Sequence, residues 1–500
     1  DESIDDFTAP APSYLKKIIE TIIEPNSFGS IFAELKDSNT EYSTISADHF
    51  VEHRQKKQTQ NLMTSKIDPY TGKSTVGYRC LGLTNVFKTN GEATCDQIKR
   101  IFQLGAILSA KSNDADDILC SLQQILAKVK YSVTDGASSM KNAMENFSDW
   151  RTEMTGITGD FLWIHCNAHV LPALTGATEK YLKAVEKMLQ LKMYACQEFN
   201  KFFFKVSDSV VITIFNAIFR NVGPSSKNQE YACTTQFHAY LKNICEPLNR
   251  FFDPQSARFG KETEMGMIIA YNFKILKSFF QCTYMPNALF KACELYMSCP
   301  MLYEISIAMT CTYYHLLGPF KIACGADKLE GYKNKRLSHQ KLLKFYKAFV
   351  KTLEELATDP TPLLKINTLA NLAEFDLSLF TKSHLGIVSF VVEELETNDD
   401  INVDVVKSVL KLACEEYFIA INRQVDEFYI RDGSIIEKAL AADEHALDNV
   451  PTTSLAAERS VALARASFKV APNASTRTHS NLQMINLSLI HISEPTRPER

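Results

Sequence analysis

Residues 131–140 read YSVTDGASSM, a short alternating run that breaks on an Asp-Gly pair. Tyr131 and Val133 are β-formers, so the stretch predicts a strand that stops at Asp135. Two readings of that stop are open on the residues alone. Asp135-Gly136 is an ordinary turn, with Asp bonding nearby backbone and Gly supplying a positive φ. Alternatively, Asp135 is held at a strand's end to carry a metal ion. Partners elsewhere in the chain must decide between them.

Upstream, DADDILCSLQQILAKV (114–129) predicts a helix with Asp residues suited to its N-terminus. Its Ile118, Leu122, Ile125 and Leu126 fall on one face. Downstream, FLWIHC (161–166) reads as another strand. Earlier in the chain EYSTISADHF (41–50) and YRCLGLTNVF (78–87) also read as strands. CDQIKRIFQLGAI (95–107) is assigned as a third. Between the first two lies a polar stretch, Val51 to Gly77, with DPYTGK (68–73) inside it, expected to be a long turn-rich loop. The pattern predicts an α/β fold with a mixed sheet, preceded by an N-terminal helical segment over 1–41, where Leu15, Ile18, Ile22, Ile31 and Leu35 recur at helical spacing.

Beyond His169 the character changes. YLKAVEKMLQLKMYACQEF carries Leu182, Val185, Leu189 and Met193 at helical spacing, and Val406, Leu410, Ala413 and Tyr417 repeat the pattern. No comparable strands reappear. The expected layout is a core over 42–175, an all-helical insertion over 176–440, and a return to the core over 441–484. The last stretch, 485–500, has no periodicity and is set aside as a non-native tail. The chain lacks an initiator Met and is expected to be a fragment.

Composition bounds the function classes. Five hundred residues exceed one ordinary core, and an apolar share of 45% fits a globular protein. No apolar run is long enough for a membrane span, and the N-terminus has no leader pattern. Thirteen cysteines without a regular framework point to a reducing compartment. A formal charge of −4 gives no general basic excess, so any DNA contact must come from local patches such as HRQKKQ (53–58) or YKNKR (332–336). Each of these also reads as a solvated loop.

A second strand, STISAD, ends on a carboxylate at Asp48. If the strands of Asp48 and Asp135 are neighbours, the two carboxylates repel unless a cation joins them. Mg²⁺ is held by a few carboxylates together with phosphate oxygens, and such a site runs phosphodiester chemistry with two metals. A third candidate is Glu458 in PTTSLAAERSVALARASF (451–468), which by spacing alone reads as a solvated helix residue beside Arg459.

The ordered set STISADHF, YRCLGLTNVF, YSVTDGASSM, IHCNAHVL, SARFGKETEM and TTSLAAERS resembles the hAT superfamily of DNA transposases. The resemblance spans nearly the whole chain. It implies an RNase H-like core interrupted by a large helical domain. Carried over position by position, it makes Asp48, Asp135 and Glu458 the catalytic, metal-binding triad for Mg²⁺ or Mn²⁺. Cys166 and His169 match the family's C-x-x-H; the resemblance offers His169 as a DNA contact, and half a zinc site or a structural buried Cys166 are the other readings. Arg258-Phe259 stands where the family has Arg-Trp, whose aromatic stacks on a flipped base; a buried core Phe is the competing reading.

The chain also departs from the family. It has DHFVE for D-x-W-[TS], Phe259 for Trp, a longer Val51–Gly77 segment, ERSVALA after the glutamate, and no BED-type zinc finger within it. The resemblance implies cutting of transposon ends and strand transfer into double-stranded DNA, self-association, and a nuclear location. A domesticated protein that binds DNA and dimerises without cutting is the alternative. A generic RNase H-like nuclease is a third, disfavoured by the large insertion.

Overall fold

The computed structural model describes residues 24–52, 55–71, 74–85, 90–189, 209–226, 231–254, 260–285, 287–298, 301–323, 337–365, 382–453 and 466. It divides into two compact units, one of residues 1–167 with 447–500, the other of residues 168–446.

The first unit is α/β. After helix α1 (Glu24–Leu35) come β1 (Thr40–Glu52), β2 (Gln55–Ile67) and β3 (Ser74–Asn85). Helices α2 (Gly91–Ser109) and α3 (Ala115–Lys128) lead to β4 (Val129–Thr134). Helix α4 (Ser138–Thr155) then leads to β5 (Leu162–His165). The five strands form one mixed sheet in the order β3-β2-β1-β4-β5. β1 to β3 are successively antiparallel, while β4 runs parallel to β1 and β5 parallel to β4.

One face of the sheet is covered by the four helices. Ile45 and Leu62, opposite each other on β1 and β2, meet Phe32 of α1, Phe102 of α2, Leu126 of α3 and Phe147 of α4 in one buried cluster. The rings of Phe32 and Phe102 stand edge to face at 5.6 Å. Gly105 of α2 lets this happen, because a Cβ there would lie 2.4 Å from the Phe32 ring.

Two element assignments are corrected. The stretch CDQIKRIFQLGAI is not a strand but most of α2. Asn90 accepts a hydrogen bond from the Ala93 amide at 3.0 Å as its N-cap. The buried positions Cys95, Ile98, Phe102 and Ala106 recur at a helical period. The third strand is instead β2, within the polar stretch expected to be a loop. Its sequence QKKQTQNLMTSKI has few apolar residues, yet it pairs along its length with β1 on one side and β3 on the other. Backbone bonding on both edges, with core contact through Leu62, outweighs its weak β-composition. HRQKKQ is therefore no loop throughout: Gln55 to Gln58 belong to β2, and Gln58 is buried. The turn expected at DPYTGK does form, with Asp68 Oδ1 accepting from the amides of Tyr70 (2.8 Å) and Thr71 (3.2 Å).

The second unit is helical among its described residues. Its first helix, α5 (Val170–Met188), packs on the long helix Val403–Val425. Tyr181 and Tyr417 meet there edge on, and the Tyr417 hydroxyl lies 2.8 Å from Thr178 Oγ1. Val406, Leu410, Ala413 and Tyr417 form the buried stripe that their spacing predicts. No helix among the described residues is long and apolar enough to cross a membrane.

Candidate functional site

β1 and β4 carry the first two candidate ligands. The parallel pairs Thr44↔Tyr131 and Ile45↔Ser132 set the register. Carried three residues further at the same offset, it brings position 48 beside position 135. The sequence reading had both strands end on their Asp. In the structure β1 runs on to Glu52, so Asp48 sits inside the strand, opposite Thr59 of β2. Asp135 does follow the last residue of β4. The Asp48 side chain lies outside the described part.

Asp135 is half-buried. Its described side-chain bond is a long one, Oδ1 accepting from the Ala137 amide at 3.4 Å, just ahead of α4. This is the local backbone bond of the turn reading. The other half of that reading fails, because the left-handed glycines among the described residues are Gly156, Gly159, Gly260 and Gly433, not Gly136. The turn therefore leaves most of the carboxylate's acceptor capacity unused.

β5 ends alongside. Thr134 pairs with His165, and the Cys166 amide donates to the Thr134 carbonyl at 2.8 Å. The next residue, Asn167, donates twice to the Thr452 carbonyl, from its backbone amide at 3.1 Å and from Nδ2 at 2.8 Å. Asn449 Nδ2 donates to Ser74 Oγ at the start of β3 (2.9 Å). Burial pushes the Tyr42 hydroxyl of β1 up in pKa beside this same Asn449. The returning segment 447–453 thus lies on the first unit between these two anchors, with Leu447, Val450, Thr452 and Thr453 buried.

Cys166 is fully buried. His169 is half-buried and stands at the N-cap of α5, where its side chain makes no capping bond. Among the described residues, no three His, Cys, Asp or Glu side chains form a group able to hold a metal. Glu458, Arg258 and Phe259 lie outside the described residues, as do YKNKR, Met193, Leu15, Ile18, Ile22 and the stretch 485–500.

The sequence reading missed Asn167 and Thr452. Asn167 is the residue after Cys166 inside the C-x-x-H spacing, but nothing in that spacing shows that it bonds a carbonyl 285 positions away.

Of the three expected ligands, only Asp135 has a described side chain. It stands just past a strand end, and the β1–β4 register, paired as far as Ile45↔Ser132, runs towards position 48 on the neighbouring strand. Hard cations such as Mg²⁺ take carboxylate oxygens. No protein-family model matches the chain. No curated protein matches it.

Proposed function

We propose that the chain is a metal-dependent DNA strand transferase of the hAT transposase type, with an RNase H-like first unit and the helical second unit as its insertion. The observation that carries this reading is the pairing of β1 with β4, whose register runs towards Asp48 beside Asp135. The strand order, three antiparallel strands followed by two parallel ones on the far edge of β1, supports the fold assignment. The return of residues 447–453 to the first unit supports the triad. Thr452 is held by Asn167, just past the end of β5, and the six residues from there to Glu458 span at most about 22 Å.

In this reading Asp48, Asp135 and Glu458 hold Mg²⁺ or Mn²⁺. Bound there, such ions would supply activation of an attacking water or 3′-hydroxyl and charge stabilisation at the leaving oxygen. The protein's own contribution is placement. β1 and β4 pair in a parallel ladder whose register runs towards two of these positions, and Asp135 Oδ1 accepts from the Ala137 amide just past the strand end. DNA phosphates complete the ligand set, and double-stranded DNA is the substrate. Arg258, Phe259 and His169 are assigned to DNA contact, and self-association and nuclear action follow from the same family reading.

Nicking of a supercoiled plasmid by the full chain with Mg²⁺ or Mn²⁺, compared with Asp135→Asn, tests the proposal. Conversion to open circles should fall on the order of a hundredfold or more in the variant, as for loss of other transition-state charge stabilisers. DNA binding without metal-dependent nicking in either protein would favour the non-catalytic alternative.

A further inference from the structure

We propose that the groove between the helices His339–Thr358 and Val403–Val425 docks a partner protein's helix, one whose apolar stripe is flanked by basic residues. The groove belongs to the second unit alone and owes nothing to the metal-site reading. Its volume is about 570 Å³. Glu354 and Ala357 line it from the first helix, and Lys411, Glu415, Phe418 and Ile419 from the second.

Helix geometry sets its shape. On Val403–Val425 the four lining positions recur at i, i+4, i+7 and i+8, so they form one stripe about 12 Å long. The buried stripe of Val406, Leu410, Ala413 and Tyr417 occupies a different face of the same helix. The two walls are locked together at one end by Tyr429, which is fully buried just past the second helix. Its hydroxyl lies 2.8 Å from His339 Nδ1, and its ring is 4.9 Å from that of Tyr346, both on the first helix. A preformed groove spares its ligand the cost of ordering it. The floor is apolar: Ile419 is 53% exposed, beside partly buried Phe418 and Ala357. A groove between two helices, open along one side, takes a helix laid along it rather than an enclosed small molecule.

Charge selects which helix. Glu354 and Glu415 stand on opposite walls, and among the described residues neither carboxylate enters an ion pair. Lys411, one turn before Glu415, is the single cation of the lining, so the groove carries a net negative charge. Basic residues beside a partner's apolar stripe meet these carboxylates, whereas acidic ones are repelled.

Fluorescence anisotropy of labelled synthetic peptides titrated with the full chain tests the proposal. The probe is a helix of about 18 residues with Leu at i, i+3, i+4 and i+7 and Lys on both sides of that stripe; its twin has Glu for every Lys. The Lys probe should bind about tenfold or more tighter than the Glu twin. Ile419→Asp should weaken the Lys probe about tenfold or more. Glu354→Lys combined with Glu415→Lys should reverse the preference, making the Glu twin the tighter ligand. Should Ile419→Asp fail to fold by circular dichroism, Ile419→Gln is read in its place. Equal binding of the two probes overturns the proposal, as does binding untouched by Ile419→Asp. A parent that self-associates in sedimentation velocity and becomes monomeric with Ile419→Asp also overturns it, since the groove then holds a second copy of this chain.

Discussion

Arg151 shows how single side chains hold the strand that presents Asp135. It is 1% exposed, on α4, and Nε donates to the Leu126 carbonyl at 2.8 Å while Nη2 reaches the Ala127 carbonyl at 3.3 Å. These are among the last carbonyls of α3, where the C-cap amide of Val129 also donates to Leu126. Asp160 faces the guanidinium with both carboxylate oxygens. Arg151 therefore closes α3 just before β4 begins. Arg151→Met removes the donors to the Leu126 and Ala127 carbonyls and leaves the partly exposed Asp160 carboxylate without its cation, so it should cost about 1–3 kcal/mol in urea unfolding. A loss below about 1 kcal/mol, the worth of a surface pair, would show the cluster to be dispensable. At this scale the sequence was informative where the chemistry is local. The stop of β4 at Asp135 was legible in YSVTDG, because its run of β-formers breaks there on a turn dipeptide. Asn167 was not, because its partner is a backbone carbonyl, and every residue has one.

Elements were legible where apolar periodicity carried them. Helices α3 and α5 and the stripe on Val403–Val425 follow from spacing alone. β2 did not, since its pairing is made by backbone and its composition is polar; α2 was misread because Ile98, Ile101 and Phe102 suit a strand as well as a helix. The π-helical turn Tyr313–Leu317 leaves no sequence mark either, although all five of its residues are buried. Within it His315 bonds the Leu363 backbone, and burial lowers its pKa to about 4 from an ordinary 6.5. The folded chain thus resists taking up a proton that the unfolded chain accepts. This contribution to stability is complete above about pH 6.5 and is lost as pH falls toward 4, at about 1.4 kcal/mol per pH unit. Chemical denaturation between pH 7 and 4.5 should show that slope in the parent and a flatter one in His315→Gln. An unchanged slope would remove His315 from the acid response.

At the scale of the whole molecule, the first unit is assembled from two distant parts of the chain, 1–167 and 447–500. The change from strands to helices after His169 was visible in composition. The anchoring of the return was not, because it is made by Asn167 and Asn449, polar residues in irregular segments that carry no periodic signal. This arrangement gives the proposed function its physical sense, since a carboxylate far along the chain can join two others only if the returning segment is held to the sheet. The most direct measurement is an anomalous diffraction map from crystals of the full chain soaked in Mn²⁺. Peaks between positions 48 and 135, at the end of β4, are expected. Mn²⁺ found only elsewhere, with the Asp135 carboxylate still turned to the Ala137 amide, would contradict the metal site and leave YSVTDG as a strand that ends in a turn.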